Sequence, residues 1–156
     1  MGTLYIVATP IGNMEDITYR AIRILKEADM IACEDTRVSG MLLNKLEIEN
    51  GGRLISFHSR SGTGKIEQIL AEIKSGKNVA LVSDAGTPCI SDPGFGLVNA
   101  AVKEGITISP ISGPSAVVSA LSASGFPADK FVYLGFLPIK KGRQTIIGKI
   151  GNEYSD

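Results

Sequence analysis

Residues 83 to 94 read SDAGTPCISDPG and follow the apolar run NVALV. The stretch holds two carboxylates, Asp84 and Asp92, among glycine and proline residues. Glycine allows positive φ or close approach of the backbone to a ligand, and proline lowers the ordering cost of binding. Such a rigid wall suits a flat, polar small molecule recognised by backbone N–H and C=O groups. The alternative is a pair of tight turns that begin helices, which Pro93 favours for the second half.

The tetrapeptide EDTR, residues 34–37, places two carboxylates, a hydroxyl and a guanidinium in succession. Asp35 and Arg37 could form a pair that orients a polar substrate or supports proton removal. The structural alternative is that Asp35 or Thr36 caps the following helix beside an ion pair. The residues alone leave both interpretations open.

His58 is the only histidine in the chain. A lone histidine at a strand end is more often structural or superficial than catalytic. No Ser-His-Asp order and no metal-ligand spacing is recognisable, so we predict no metal. Cys33 and Cys89 lie far apart without a CxxC motif, which disfavours a disulfide framework. Cys89 has no evident activating neighbour and is interpreted as a packing residue.

Two phosphate-binding motifs are incomplete in this chain. In SGTGKI, residues 61–66, Ser59 stands where a P-loop needs glycine, and Ile66 replaces the magnesium-binding hydroxyl. The segment ATPIGN has a single glycine, so the dinucleotide fingerprint GxGxxG is missing. Nucleotide hydrolysis and dinucleotide binding are therefore disfavoured.

The composition is that of a globular chain with its own core. Of 156 residues, 44% are hydrophobic and 21% charged, with 16 basic and 16 acidic side chains. This balance lacks the basic surplus usual in nucleic-acid-binding domains. The sequence shows no signal-peptide pattern and no apolar stretch of the roughly 20 residues that span a bilayer. We predict a soluble, cytoplasmic protein without a membrane partner.

Short apolar runs alternate with amphipathic ones, which predicts α/β architecture: a five-stranded, mostly parallel sheet flanked by helices. Strands are predicted at 3–8, 29–34, 53–58, 78–83 and 106–111. Helices are predicted at 17–28, 37–48, 65–76, 93–105 and 113–125, with Asp16 capping the first, Pro93 beginning the fourth and Gly40 weakening the second. We assign 1–126 to this domain. Residues 127–156, with the β-prone KFVYLGFLP and the polar IKKGRQ, are predicted to be a linker and the start of a second domain.

The residues with chemical potential follow the predicted strands. ATPIGN, EDTR, His58, SDAGTP and SGPSA each come after a different strand. Ligands of open parallel sheets bind beyond the carboxyl ends of the strands. We therefore expect the functional site at that edge.

These same segments resemble one protein family. LYIVATPIGNMEDITYRAIRILKEADMIACEDTR, NVALVSDAGTPCISDPG, ISGPSAVVSALSASGFP and GFLPIKKG resemble the tetrapyrrole-methylase-like methyltransferases, which use S-adenosylmethionine (SAM). Within the family, the match is to the branch that methylates a cytidine 2′-hydroxyl in small-subunit ribosomal RNA. The resemblance implies two α/β domains with SAM between them, a longer homodimeric protein, and correspondence of this chain to the N-terminal part.

The resemblance also implies site residues. The implied cofactor-binding residues are Asp84, Ala85, Gly86, Thr87, Pro88, Ile90, Ser91, Asp92, Ser112, Gly113, Pro114, Ser115, Ala116, Phe136 and Leu137. The implied catalytic residues are Asp35 and Arg37, with Pro10, Gly12, Asn13 and His58 facing the substrate. RNA contact is expected from Arg20, Arg37, Lys140, Lys141 and Arg143. Relatives commonly carry a HEHN-like stretch where this chain has HSRS, so only His58 matches there.

Three functions stay open at this stage. The first is methyl transfer to a ribose 2′-oxygen, and the nearest enzymatic alternative is methylation of a tetrapyrrole or another small molecule. The second is a non-catalytic SAM-binding module. The third is an α/β domain whose loops are only tight turns.

Overall fold

The computed structural model describes residues 1–139 and 141–153. The chain divides into two compact units, Met1–Gly125 and Phe126–Asp156. All five strands lie in the first unit, and the second contains the helix Arg143–Glu153.

The sheet confirms the predicted α/β class and is wholly parallel. Its strands are β1 (Thr3–Val7), β2 (Met30–Cys33), β3 (Leu54–Ser56), β4 (Val79–Val82) and β5 (Thr107–Ile111), in the order β3-β2-β4-β1-β5. All four residues of β4 are buried, because helices cover both faces of a parallel sheet. This burial explains the apolar run before SDAGTP.

The helices are α1 (Tyr19–Glu27), α2 (Thr36–Lys45), α3 (Thr63–Lys74), α4 (Phe95–Lys103), α5 (Ala116–Ala123) and α6 (Arg143–Glu153). Of these, α1 to α4 pack on the two faces of the sheet. Buried side chains of α1 and α2 share one hydrophobic cluster with Val7 and Val82, whereas those of α3 and α4 share the other with Leu4 and Leu81. Successive side chains of a strand point to opposite faces of the sheet, so neighbouring strand residues belong to different clusters.

Two helix starts differ from the sequence-based expectation. Thr18, not Asp16, caps α1, and its side chain accepts a hydrogen bond from the Ala21 N–H at 3.1 Å. Asp16 instead lies in a short 3-10 turn, Met14–Asp16. Pro93 precedes α4 because Gly94, with φ of 137°, interrupts the helical run, and α4 begins at Phe95.

The segment after Gly125 has one helix and no strand among its described residues. Residues 130–138 form no strand, although their composition is β-prone. Strand propensity reflects packing against neighbouring strands more than an intrinsic backbone preference. The helix α6 lies in the range 127–156, which was predicted to be a linker and the start of a second domain.

Candidate functional site

The loops after β1 and β4 are joined by backbone hydrogen bonds. The N–H of Thr9 donates to the carbonyl of Gly86 at 2.9 Å, and the N–H of Gly86 donates back at 3.0 Å. The buried hydroxyl of Thr9 donates to the Ser83 carbonyl at 3.2 Å. The first part of SDAGTP is therefore held against the first strand as one rigid platform.

Hydrogen bonds extend this platform to two more strand ends. The Thr87 hydroxyl donates to the Pro114 carbonyl at 3.0 Å, which connects the loops after β4 and β5. The Asp35 N–H donates to Asp84 Oδ1 at 3.2 Å, which connects the loops after β2 and β4. The structure thus brings together the predicted residues Asp35, Asp84, Thr87 and Pro114.

The loop SDAGTPCISDPG contains an unusual concentration of left-handed backbone. Gly86 has φ of 85° and Gly94 of 137°, and the non-glycine residues Cys89 and Ser91 have φ of 71° and 60°. Non-glycine residues adopt this region at a cost that the surrounding structure must offset, and such residues cluster at ligand sites. This loop therefore has the backbone character of a binding element.

The same edge offers features that fit a polar cofactor. A Cβ at Gly113 would lie 3.0 Å from Ala8 Cβ, so the backbone there packs directly on the end of β1. Ser115, the N-cap of α5, makes no side-chain hydrogen bond to the first turn. The N–H groups of the first turn of α5 therefore have no side-chain cap, and they can donate to a ligand acceptor. Together with the exposed Asp84 carboxylate, this edge presents both donors and an acceptor.

Asp35 and Arg37 form the predicted pair in capping geometry. Asp35 is the N-cap of α2, and Oδ1 accepts from the Arg37 N–H at 2.8 Å. The Arg37 guanidinium donates to Oδ2 at 2.6 Å and to Oδ1 at 3.1 Å. Hydrogen bonds from Arg37 lower the pKa of Asp35 to about 2. A carboxylate this acidic is a weak base at neutral pH.

Glu34, which was not among the predicted site residues, has the opposite behaviour. Burial raises the pKa of Glu34 first, and the negative charges of Asp84, Asp92 and Asp35 raise it further, against an opposing effect of His58. A carboxyl group with a raised pKa at the functional edge is a better general base than Asp35. The place of Glu34 inside EDTR was the available signal, but its partial burial could not be read from the sequence.

His58 is held within its own loop. Its Nδ1 accepts from the Arg60 N–H at 3.2 Å, and its backbone N–H donates to Ser61 Oγ at 2.9 Å. The imidazole is exposed and lies close enough to influence the pKa of Glu34. These contacts keep His58 at the edge of the site.

A groove runs beside the loop after β1 and was not foreseen. It has a volume of about 420 Å³, and its walls include Pro10 and Gly12 from that loop and Asp84 and Ala85 from the loop after β4. Its other wall is the face of α2 formed by Val38, Met41, Leu42 and Lys45. The spacing i, i+3, i+4, i+7 was the available signal for this face, but such a pattern normally marks the core.

Other predicted residues lie elsewhere. Asn13 caps the 3-10 turn by accepting from the Glu15 N–H, and Arg20 donates to Ser109 at 3.2 Å. Phe136, Leu137, Lys141 and Arg143 belong to the second unit, and Lys140 lies outside the described residues.

Metal ligation and membrane crossing find no support in the part of the chain that the structure describes. Among residues 1–139 and 141–153, no three His, Cys, Asp or Glu side chains are grouped as metal ligands would be. Within the same ranges, no helix has the length and apolar character that spanning a bilayer requires.

Comparison with curated proteins gives relatives of high identity. The chain is 50% identical over 153 residues to "Ribosomal RNA small subunit methyltransferase I" of Thermotoga maritima, covering 98% of this chain and 68% of the relative. The protein of the same name from Escherichia coli O157:H7 is also 50% identical over 153 residues, covering 97% of this chain and 53% of the relative. A third, from Halalkalibacterium halodurans, is 53% identical over 140 residues, covering 90% and 48%. The chain thus spans about half to two thirds of their length.

Solved structures and a family model agree on the fold. Uroporphyrin-III-C-methyltransferase from Thermus thermophilus matches with a TM-score of 0.57 at 24% identity, covering 81% of this chain and 53% of that one. Cobalt precorrin-4 methyltransferase matches with a TM-score of 0.60 at 24% identity, covering 78% and 50%. Residues 3–150 match the model for tetrapyrrole (corrin/porphyrin) methylases. By sequence and by fold, the chain belongs to the tetrapyrrole methylase family.

Proposed function

We propose that this chain binds SAM and forms part of an enzyme that methylates a cytidine ribose 2′-hydroxyl in small-subunit ribosomal RNA. The observation that carries the proposal is the platform made by the interlocked loops after β1, β4 and β5. It belongs to a chain that is about half identical to proteins named as small-subunit ribosomal RNA methyltransferases.

The residues of the platform suit the polar groups of SAM. The Asp84 carboxylate can accept from a cofactor hydroxyl or ammonium group, and the N–H groups of Gly113, Ser115 and Ala116 can donate to its acceptors. The left-handed Gly86, which has no side chain, lets this loop lie against the end of β1. When bound, SAM supplies an activated methyl group on a sulfonium.

The protein must then align the ribose and remove one proton. A ribose hydroxyl is a poor nucleophile at neutral pH, so a base or a cation near its oxygen lowers the barrier. We assign proton removal to Glu34, whose pKa is raised, and stabilisation of the developing alkoxide to Arg37. Asp35, with its pKa near 2, holds Arg37 in place and remains ionised.

Calorimetry with SAM on the full-length gene product tests cofactor binding. We expect Asp84→Ala to weaken binding at least tenfold without unfolding the protein. Gly86→Val should weaken it more, because valine disfavours φ of 85° and a Cβ there would lie 3.4 Å from Ile11 Cγ2. Glu67→Ala, which removes an exposed carboxylate from α3, is the matched control. Absence of SAM binding by the wild-type protein would refute the proposal.

Transfer of a labelled methyl group separates the alternatives. Labelling of small ribosomal subunits, but not of tetrapyrrole precursors, is the expected result. Labelling of the precursors instead would favour the small-molecule function. SAM binding without transfer to either substrate would favour a non-catalytic binding module.

A further inference from the structure

The groove along α2 continues directly from the proposed cofactor platform. Its inner end is formed by Asp84 and Ala85, which belong to the loop after β4. The Asp35 N–H, at the start of α2, donates to Asp84 Oδ1, so this end lies at the N-terminus of α2. The groove then follows the helix, and Lys45, its last residue, lines the other end.

The walls between these ends are aliphatic. Ile11 contributes from the loop after β1, and Val38 and Met41 contribute from α2. Met41 is 59% exposed and Ile11 is 36% exposed, so both side chains present apolar surface to solvent. Methionine adapts its shape to varied partners, and it recurs at binding surfaces for that reason. The walls offer apolar contact to a flat group without fixing its identity.

The charge at the outer end favours an anion. Lys45 is exposed and has no ion pair with any residue in 1–139 or 141–153. Ten residues of helix separate Asp35 from Lys45, about 15 Å at 1.5 Å per residue. Lysine side chains on a helix lean toward its N-terminus, which shortens the path from the cofactor platform. A single-stranded nucleic acid matches this order of groups, with bases for the apolar walls and a phosphate for Lys45.

We propose that the α2 groove holds the RNA strand next to the target ribose. One flanking base rests between Ile11 and Met41, and its backbone phosphate pairs with Lys45. The target ribose then lies at the Asp84 end, beside the proposed SAM platform and Glu34. This inference rests on the proposed function and adds residues of α2 as determinants of RNA binding.

Fluorescence anisotropy with a labelled single-stranded oligocytidylate tests the groove in the full-length gene product. Lys45→Met should weaken binding and reduce the slope of log K against log salt by about 0.7, the value for one phosphate contact on a single strand. Met41→Glu should weaken binding at least tenfold, because a carboxylate would replace the apolar contact with the base and would repel the phosphate held by Lys45. Both variants should keep the SAM affinity of the wild-type protein.

Two substitutions on α4 are matched controls, since α4 packs on the opposite face of the sheet. Lys103→Met removes the last lysine of α4, as Lys45→Met does for α2. Val102→Glu replaces an apolar residue that is 62% exposed, close to the exposure of Met41. Both controls should bind the oligonucleotide as the wild type does.

The possible results separate the two proposals. If the wild-type protein does not bind the oligonucleotide, or if the α2 variants behave like the α4 controls, the groove assignment is wrong. That outcome would leave SAM binding and methyl transfer by the wild type intact as support for the proposed function. RNA binding that depends on Lys45, in a protein that does not bind SAM, would support the groove and refute the methyltransferase proposal.

Discussion

Adjacent carboxylates in EDTR have opposite electrostatic environments. Asp35 receives hydrogen bonds from Arg37, which favour its charged form. Glu34 is partly buried near other carboxylates, which favours its neutral form. Two titratable neighbours with pKa values displaced in opposite directions are typical of sites that divide acid–base roles between residues.

The Glu34→Gln variant should be more stable than the wild-type protein near neutral pH. A raised pKa means that the folded state binds the proton more tightly, so ionisation of Glu34 destabilises the fold as pH rises through that pKa. The gain should vanish on the acid side of the ordinary glutamate pKa, about 4.3, where both states are protonated. Urea unfolding near neutral pH and on the acid side of that pKa measures the gain in the free energy of unfolding. Equal gains at both pH values would contradict the raised pKa of Glu34.

The Arg37→Met variant should raise the pKa of Asp35 from about 2 toward its ordinary value of 3.8. A depressed pKa contributes stability above the ordinary value, and that contribution disappears as pH falls to about 2. Carboxyl-carbon NMR titration of Asp35 gives the shift directly. Arg23→Met, which removes an exposed arginine from α1 outside the site, is the control and should leave the titration of Asp35 as in the wild type. An unchanged Asp35 titration in Arg37→Met would refute the pairing.

At the scale of elements, Arg53 connects the end of α1 to the turn before β3. Its guanidinium donates hydrogen bonds of 2.6 to 3.3 Å to the carbonyls of Leu25, Lys26, Ala28, Glu49 and Asn50. The last carbonyls of a helix have no partner within it, so this one side chain satisfies several at once. Arg53 therefore fixes the end of α1 against the turn before β3, at the edge of the sheet opposite the site.

We expect Arg53→Met to lower the free energy of unfolding by about 2–3 kcal/mol, since charged hydrogen bonds to the α1 end are lost. Arg53→Lys should recover only part of this, because an ammonium lacks the planar fork of donors. Arg23→Met, which breaks an exposed pair within α1, should cost about 0.5 kcal/mol or less. Chemical denaturation gives the free energy of unfolding of the three variants. A loss for Arg53→Met no larger than for Arg23→Met would show that the Arg53 hydrogen bonds do not hold the end of α1.

Two glycines with nearly the same φ separate backbone strain from crowding. Gly12 has φ of 143° with no atom within 4 Å of an added Cβ, whereas Gly94, before α4, has φ of 137°. A Cβ at Gly94 would overlap Cys89 Sγ and lie 2.9 Å from Leu81 Cδ2. Gly12→Ala should cost about 1–3 kcal/mol from backbone strain. Gly94→Ala should cost a further 1–3 kcal/mol, roughly, from overpacking. Equal losses of stability for the two variants in thermal unfolding would show that crowding at Gly94 adds no cost.

At the scale of the whole molecule, much of the architecture was accessible from sequence. Alternation of apolar strands with amphipathic helices predicted a five-stranded, mostly parallel sheet, and the strand ends led us to expect the site at one edge of it. The strand order was not accessible, because nothing in the β1 sequence specifies residues 79–82 as its neighbour. The α2 groove was missed because Val38 and Met41 have the spacing of core residues. The Thr18 cap was missed because Asp16 and Thr18 are both good caps.

The segment 1–125 should fold without the rest of the chain. It contains all five strands and both hydrophobic clusters. A protein ending at Gly125 should therefore unfold cooperatively and protect the amides of β1 and β4 from hydrogen exchange. Non-cooperative unfolding, or rapid exchange at Ile6 and Leu81, would show that residues 126–156 are needed for the fold.

The position of β1 between β4 and β5 has a consequence for the order of events during synthesis. Leu4 pairs with Val79, and Thr9 with Gly86, 77 residues later, so β1 has no partner until β4 has been made. At 5–20 residues per second, this wait is roughly 4–15 s. Meanwhile β2 and β3, which are closer in sequence, can already pair. The β2–β3 edge of the sheet can therefore form before its centre. The platform of SDAGTP is completed only when the newly synthesised loop after β4 reaches the loop after β1.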